Sequence, residues 1–224
     1  SLVLDDSNLF DFDKFSGYDR REGGIRGNFG IRYIGTFGRG ITVDALLGQS
    51  IHFAGLNSYG DPDIAGVGPN SGLETAHSDI VSRLSIEAPS GRRITARALF
   101  DDSNFDLNRG EIEAAGPLSA NITAAASLIY LRDQTSINAP GTEDALVLRA
   151  SASANIAENW RLFGALVYDV GNSALVGDSF GLAYDDSCLS ISLSFNETLA
   201  DYTDLVASKQ IWLSIQLRTL GGGV

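Results

Sequence analysis

Between Ile25 and Phe37 the odd positions hold Ile25, Gly27, Phe29, Ile31, Tyr33, Gly35 and Phe37, while Arg26, Asn28, Arg32 and Thr36 fall on even ones. Successive side chains of a strand point to opposite faces, so this period of two predicts a ribbon with one apolar face and one face carrying two arginines. The pattern resumes after Gly38-Arg39-Gly40: Ile41, Val43, Ala45, Leu47, Ile51 and Phe53 share a face, and Thr42, Asp44, Ser50 and His52 take the other. The glycine-flanked link predicts a tight hairpin turn. Further strands are predicted at 78–88, 93–102, 105–115, 120–133, 145–156, 160–170, 174–184, 188–197 and 209–218, which makes eleven in all, with almost no helical periodicity. Alternation is clear in 188–197 and 209–218, and weaker in 105–115 and in alanine-rich 120–133.

The links alternate. Short turns fall at 38–40, 89–92, 116–119, 157–159 and 185–187, and the other set (54–77, 103–104, 134–144, 171–173 and 198–207) includes the three longest. In an up-and-down meander every second link lies at the same end, so one end is trimmed and the other elaborated, as in outer-membrane barrels with short periplasmic turns and longer extracellular loops. Most predicted strands also reach the roughly 9 to 11 residues that a tilted strand needs to cross a bilayer.

The polar face separates a membrane barrel from a soluble sandwich. It carries Arg26, Arg32, Asp79, Arg83, Glu87, Arg93, Arg97, Arg109, Glu111, Glu113 and Arg149 among serine, threonine and asparagine, with Lys14 and Lys209 as the two lysines of the chain. A water-facing sandwich usually mixes lysine and glutamate; a wide barrel lines an aqueous lumen. Aromatic residues toward strand ends (Phe29, Tyr33, Phe37, Phe53, Tyr130, Trp160, Tyr168, Tyr184) suit interfacial girdles. The expectation is all-β: the C-terminal part, of eleven or twelve strands, of a larger antiparallel up-and-down transmembrane β-barrel. Residues 1–24 are expected as an extracellular loop segment and 25–224 as the barrel strands. Asp5, Asp6, Asp11, Asp13 and Lys14 make 1–15 a poor lipid-facing strand, so a strand number of eleven and a start at Ser1 without methionine predict a segment of a longer chain.

Composition narrows the function classes. The 224 residues are 44% hydrophobic and 20% charged, which fits one domain or part of one, and there is neither a long apolar helix nor a leader pattern. Sixteen basic against 28 acidic residues leave a net charge of −12, which argues against a nucleic-acid partner. Cys188 is the single cysteine. Asp61, Asp63 and Glu74 in the long link carry hard oxygen ligands without completing an EF-hand, and Gly66-x-Gly68 with Pro69 opens no helix, so neither metal nor cofactor is expected. His52, His77, Ser78 and Asp79 are the residue types of a hydrolase, without a nucleophile elbow.

Four stretches together resemble the C-terminal barrel of the LPS-assembly outer-membrane protein family LptD (organic solvent tolerance protein, OstA): L-F-D-F-D-K-F-S-G-Y-D-R-R-E-G-G at 9–24, L-L-G-Q-S at 46–50, Asp185-Asp186-Ser187-Cys188, and I-Q-L-R-T-L at 215–220. The resemblance extends over essentially the whole chain. Ser187 stands where many members have a second cysteine.

The resemblance implies lipopolysaccharide (LPS) transport without bond chemistry: LPS arrives from periplasmic bridge proteins, passes a barrel plugged by an LptE-like lipoprotein, and leaves sideways among outer-membrane lipids. It implies that Gln210, Ile211, Trp212, Leu213, Ser214, Ile215, Gln216, Leu217 and Arg218 form one lip of the lateral gate. Gln210, Ile215 and Leu217 also resemble the terminal signal read by barrel-insertion machinery, with Trp212 where glycine often stands. Cys188, beside a short and hence periplasmic turn, is implied as a disulfide partner of the family's N-terminal domain; an inert thiol is the alternative. The lumen charges either meet sugar phosphates or pair with one another. A passive porin, an outer-membrane hydrolase and a soluble carbohydrate-binding sandwich are the competing readings.

Overall fold

In a computed structural model, the structure describes residues 3–15, 22–60, 71–135, 142–199 and 207–217. Eleven strands and no helix are present among them: β1 (Ile25–Phe37), β2 (Ile41–Ala54), β3 (Ile80–Glu87), β4 (Arg93–Phe100), β5 (Leu107–Pro117), β6 (Ile122–Thr135), β7 (Thr142–Ala157), β8 (Trp160–Asp169), β9 (Ala174–Asp185), β10 (Leu189–Thr198) and β11 (Ser208–Leu217). They form one sheet in sequence order, with antiparallel neighbours. The sheet is not closed: β1 and β11 end the order, and each keeps an unpaired edge among the described residues. Such an open, strictly sequential sheet is the expected part of an up-and-down barrel.

Glycine makes the first turn. Gly38 and Gly40 both adopt positive φ (49° and 90°), which carries Phe37 back to pair with Ile41. Three boundaries differ from those that alternation predicts. β3 begins at Ile80 because the register with β2 breaks at Ser78 and Asp79: Ile51 meets His77 in an isolated bridge, with the Ser78 N–H on Ser50 O of β2, whereas Gly48 meets Val81 within β3, and the Asp79 N–H turns away to Gly72 O in the link. The turn after β4 starts at Asp101, whose carboxylate accepts the N–H groups of Ser103 and Asn104 and so closes a side-chain turn earlier than hydrophobicity suggests. β6 and β7 extend to Thr135 and from Thr142, so the 134–144 link is shorter than expected, and the Tyr130 hydroxyl donates to Asp144 across the lengthened ribbon at 2.7 Å.

The chain divides into two units, one of Ser1–Pro89, Ile94–Ile112 and Leu131–Asp133, the other of Ser90–Arg93, Glu113–Tyr130 and Gln134–Val224. The first holds the only buried apolar cluster among the described residues: Leu4, Leu9, Tyr59, Leu73, Val81 and Leu99, with Phe15 against it. The second shows two clean faces. Leu193 pairs with Leu182 and Leu213, and Phe195 with Phe180 and Ile211, on the apolar side; Ser192 with Ser214 and Ser194 with Trp212 lie on the polar side. Trp160 meets Tyr184 edge-on at 5.2 Å on the apolar face.

Candidate functional site

The polar face of the first unit is an ion-pair ladder. On β1 and β2, Arg32 and Asp44 form a two-pronged pair at 3.0 and 2.8 Å. Arg83 on β3 also reaches Asp44, at 2.6 Å, and on β4 and β5 Arg97 stands 3.8 Å from Glu111. One member comes from outside the sheet: Asp6 takes Arg83 at 3.1 Å and Arg97 at 3.2 Å. These are charge-assisted contacts on a face that strand alternation sets apart from the exposed side chains of Phe29, Ile31 and Leu47.

Residues 3–15 therefore line the wall. Gly30 and Gly48 face one another across β1 and β2, and a Cβ at Gly48 would stand 2.5 Å from Leu9, one at Gly30 2.7 Å from Phe10. Two opposed glycines leave a dimple that the N-terminal segment fills, and Leu9 is fully buried there. Leu4 N–H donates to Ser71 O at 2.8 Å. The stretch 46–50 contributes more than its glycine: Ser50 is fully buried, its hydroxyl donates to Asn28, and its N–H donates to Ser78 Oγ.

Toward the start of β1 a second network forms. Glu22 accepts from Arg26 Nε at 2.5 Å and from the Tyr59 hydroxyl at 2.9 Å, and the Arg26 guanidinium lies over the Tyr59 ring, 5.2 Å from its centroid. Burial, then the hydrogen bond to Glu22, pushes the Tyr59 phenol far above its ordinary range. Lys14 is buried, with Nζ 3.3 Å from Asp11 O and Asn28 Oδ1, and burial draws its ammonium below the usual lysine range.

Of the expected lumen residues, Arg26, Arg32, Arg83, Arg97 and Glu111 are brought into these networks. Glu87 lies opposite Thr42, Arg93 opens β4, and Arg109 and Glu113 follow the Glu111 side of β5. Arg149 lies opposite Val167 in the second unit and is exposed, without an ion pair among the described residues. Asp79 sits one residue before β3 and not within it. Its carboxylate accepts from Asn108 at 2.8 Å and is pushed up to about 6 by burial, with Glu74, Asp101 and Asp102 adding to the rise.

The hydrolase residues do not assemble. The Ser78 hydroxyl donates to the Asp79 backbone, His52 Nε2 lies 3.1 Å from Gly55 O, and His77 lies 3.6 Å from Asp102. No cluster of metal ligands occurs among the described residues; Asp61, Asp63, Gly66, Gly68 and Pro69 lie outside them. Gln210 to Leu217 form the exposed edge strand, and Arg218 lies outside the described residues, as do 16–21 of the first family-like stretch. Cys188 is exposed, its N–H donating to Asp186. Periodicity does not single out Asp6 or the Gly30–Gly48 dimple. The available signal is an acidic, leucine-bearing segment next to a face rich in arginine.

No curated protein matches the chain. The family model for LptD, LPS transport system D, matches residues 1–143, which covers the N-terminal segment and ladder and stops short of Cys188 and β11. With more than half of its length matched and an open antiparallel sheet of the predicted kind, this chain belongs to the LptD family.

Proposed function

We propose that this sheet is part of an outer-membrane barrel that receives LPS from periplasmic bridge proteins and releases it sideways into the outer leaflet. The observation that carries this reading is the pair of faces: an exposed apolar side on every well-alternating strand, and opposite it a wall of paired charges and hydroxyls. An amphiphile with an anionic sugar head and several acyl chains can move neither its head through hydrocarbon nor its tails through water. A wall polar inside and apolar outside, with a seam, lets the head follow the lumen while the tails enter lipid.

β11 supplies one lip of that seam. Its outer edge is unpaired among the described residues, and Gln210 to Leu217 are exposed along it. Breaking a strand pairing has a net cost of about 1 kcal/mol per bond where water replaces it and more where it does not, so opening is confined to a short or poorly bonded seam. A plug lipoprotein and the barrel-insertion machinery are the further partners, and Cys188 bridges to the periplasmic domain. No bond is made or broken in the transported lipid.

The test uses the parent chain in cells, with one cysteine at Gln210 and one on the strand that faces it across the seam. Oxidative locking is expected to stop delivery of LPS to the outer leaflet, and reductant to restore it. Delivery that continues through a locked seam, together with a steady large conductance, would overturn the reading in favour of a passive porin.

A further inference from the structure

Arg83 on β3 and Arg97 on β4 stand opposite one another. The Ser85 and Thr95 hydroxyls meet at 3.1 Å, and Ser82 Oγ donates to Ala98 O at 3.3 Å, contacts that share one antiparallel register with the two arginines. Like charges directly opposed on a sheet repel. The strands answer that repulsion only in part, because the linked ladder holds three guanidiniums, Arg32, Arg83 and Arg97, against two strand carboxylates, Asp44 shared by two of them and Glu111 at 3.8 Å from the third. Asp6 is the third carboxylate, and it arrives on a segment that is not part of the sheet.

Asp6 bridges the two arginines with one oxygen to each: Oδ2 accepts from Arg83 Nη1 at 3.1 Å, and Oδ1 lies 3.2 Å from Arg97 Nε. The match is incomplete. Arg83 Nε is buried and has no hydrogen-bond partner among the described residues, a donor that a two-oxygen group already bound at both ends does not reach. A phosphate monoester offers a third oxygen and a larger charge in the same place.

We infer that Arg83 and Arg97 form a subsite for a phosphate monoester on the wall, and that Asp6 occupies the anion's place until the N-terminal segment lifts. This deepens the transport reading and rests on it, the ligand being the phosphorylated head of the transported glycolipid. The cavity beside Asp6, walled by Leu4, Arg97, Arg109 and Glu111, measures about 40 Å³. That is far below the roughly 300 Å³ at which ligand pockets begin, so a phosphorylated sugar cannot bind beside the segment and must replace it. Residues 3–15 are held by Leu4, Leu9 and Phe15, the Asp6 contacts, the Lys14 and Asp11 bonds to Asn28 and the Leu4–Ser71 backbone bond, without strand pairing, so they can leave the wall while the sheet stays bonded.

The experiment uses the full parent chain, purified in detergent, and measures binding of lipid A with its phosphates and of the same lipid after enzymatic dephosphorylation. Asp6→Asn keeps the shape and removes the competing charge. Binding of the phosphorylated lipid is expected to tighten about tenfold, the size of one charge-assisted contact. The dephosphorylated lipid is expected to bind as before, and Arg97→Gln added to Asp6→Asn is expected to cancel the gain. An equal gain for both lipids, or none for either, overturns the subsite; the first would mean that a loosened segment merely uncovers its leucine floor. Inorganic phosphate is the second probe, and Arg97-dependent binding of phosphate without any change for lipid A would overturn the headgroup assignment in favour of free phosphate. Heat-modifiable mobility on gels verifies that each variant is folded. If the unaltered parent binds no lipid A, the transport reading fails; if it binds lipid A and Asp6→Asn is silent, this subsite alone fails.

Discussion

Asp79 carries a folded-state pKa of about 6, against 3.8 for the free carboxyl, because burial and three neighbouring acids outweigh the Asn108 hydrogen bond. A raised acid pKa means that the fold prefers the neutral form. Its contribution is fully present below 3.8 and is lost as pH rises through about 6. Asp79→Asn is therefore expected to stabilise the 71–79 link at neutral pH by an amount on the order of 1 kcal/mol, the side chain's partial exposure having screened the rest. Hydrogen exchange of the Asp79 amide, which bonds to Gly72 O, measures it; faster exchange in the variant at neutral pH would contradict the assignment. Gly48 makes a different point. A Cβ there meets Leu9 at 2.5 Å and the Phe29 carbonyl at 2.7 Å, so Gly48→Val is expected to expel Leu9 and forfeit about 2 kcal/mol of burial. The Phe29 carbonyl makes β1 shift as well, so the readout is limited proteolysis that accelerates more within residues 3–15 than within β1 and β2. Neither residue betrays this in the sequence: Asp79 looks like a lumen acid at the head of a strand, and Gly48 like a weak point within one.

For the elements, the alternation of Ile211, Leu213, Ile215 and Leu217 against Gln210, Trp212, Ser214 and Gln216 is legible without coordinates, and the register with β10 keeps every apolar residue opposite an apolar one. The two faces then differ in what they tolerate. Leu213→Arg is expected to destabilise the parent by about 2–4 kcal/mol, as for a cation on the lipid face near mid-bilayer, whereas Ser214→Arg changes little. Denaturant unfolding in lipid vesicles compares the two, and an equal loss would mean that both faces are buried in protein. Strand ends were less legible than strand cores. Ser78, Asp101 and Asp144 each shift a boundary through a hydrogen bond to a backbone or side chain that hydrophobic period does not register.

For the whole molecule, the proposed bridge from Cys188 to the periplasmic domain depends on an oxidising compartment. It lies exposed in the turn between β9 and β10 and has no second cysteine in the chain to join. In cells the parent's Cys188 is expected to resist alkylation until reductant is added; free labelling beforehand would leave it an unbridged thiol. The sequence by itself determined the strand number, the order, the two faces and the family-like stretches, because each depends on the pleat's period of two or on turn residues local in the chain. Only the tertiary structure decided that acidic residues 3–15 fold back onto the arginine face, that Asp6 joins two strands about eighty and ninety positions away, and that opposed glycines receive Leu9 and Phe10. Those contacts connect segments with no common period, and charge balance and close packing, which select them, exist only once the wall has formed.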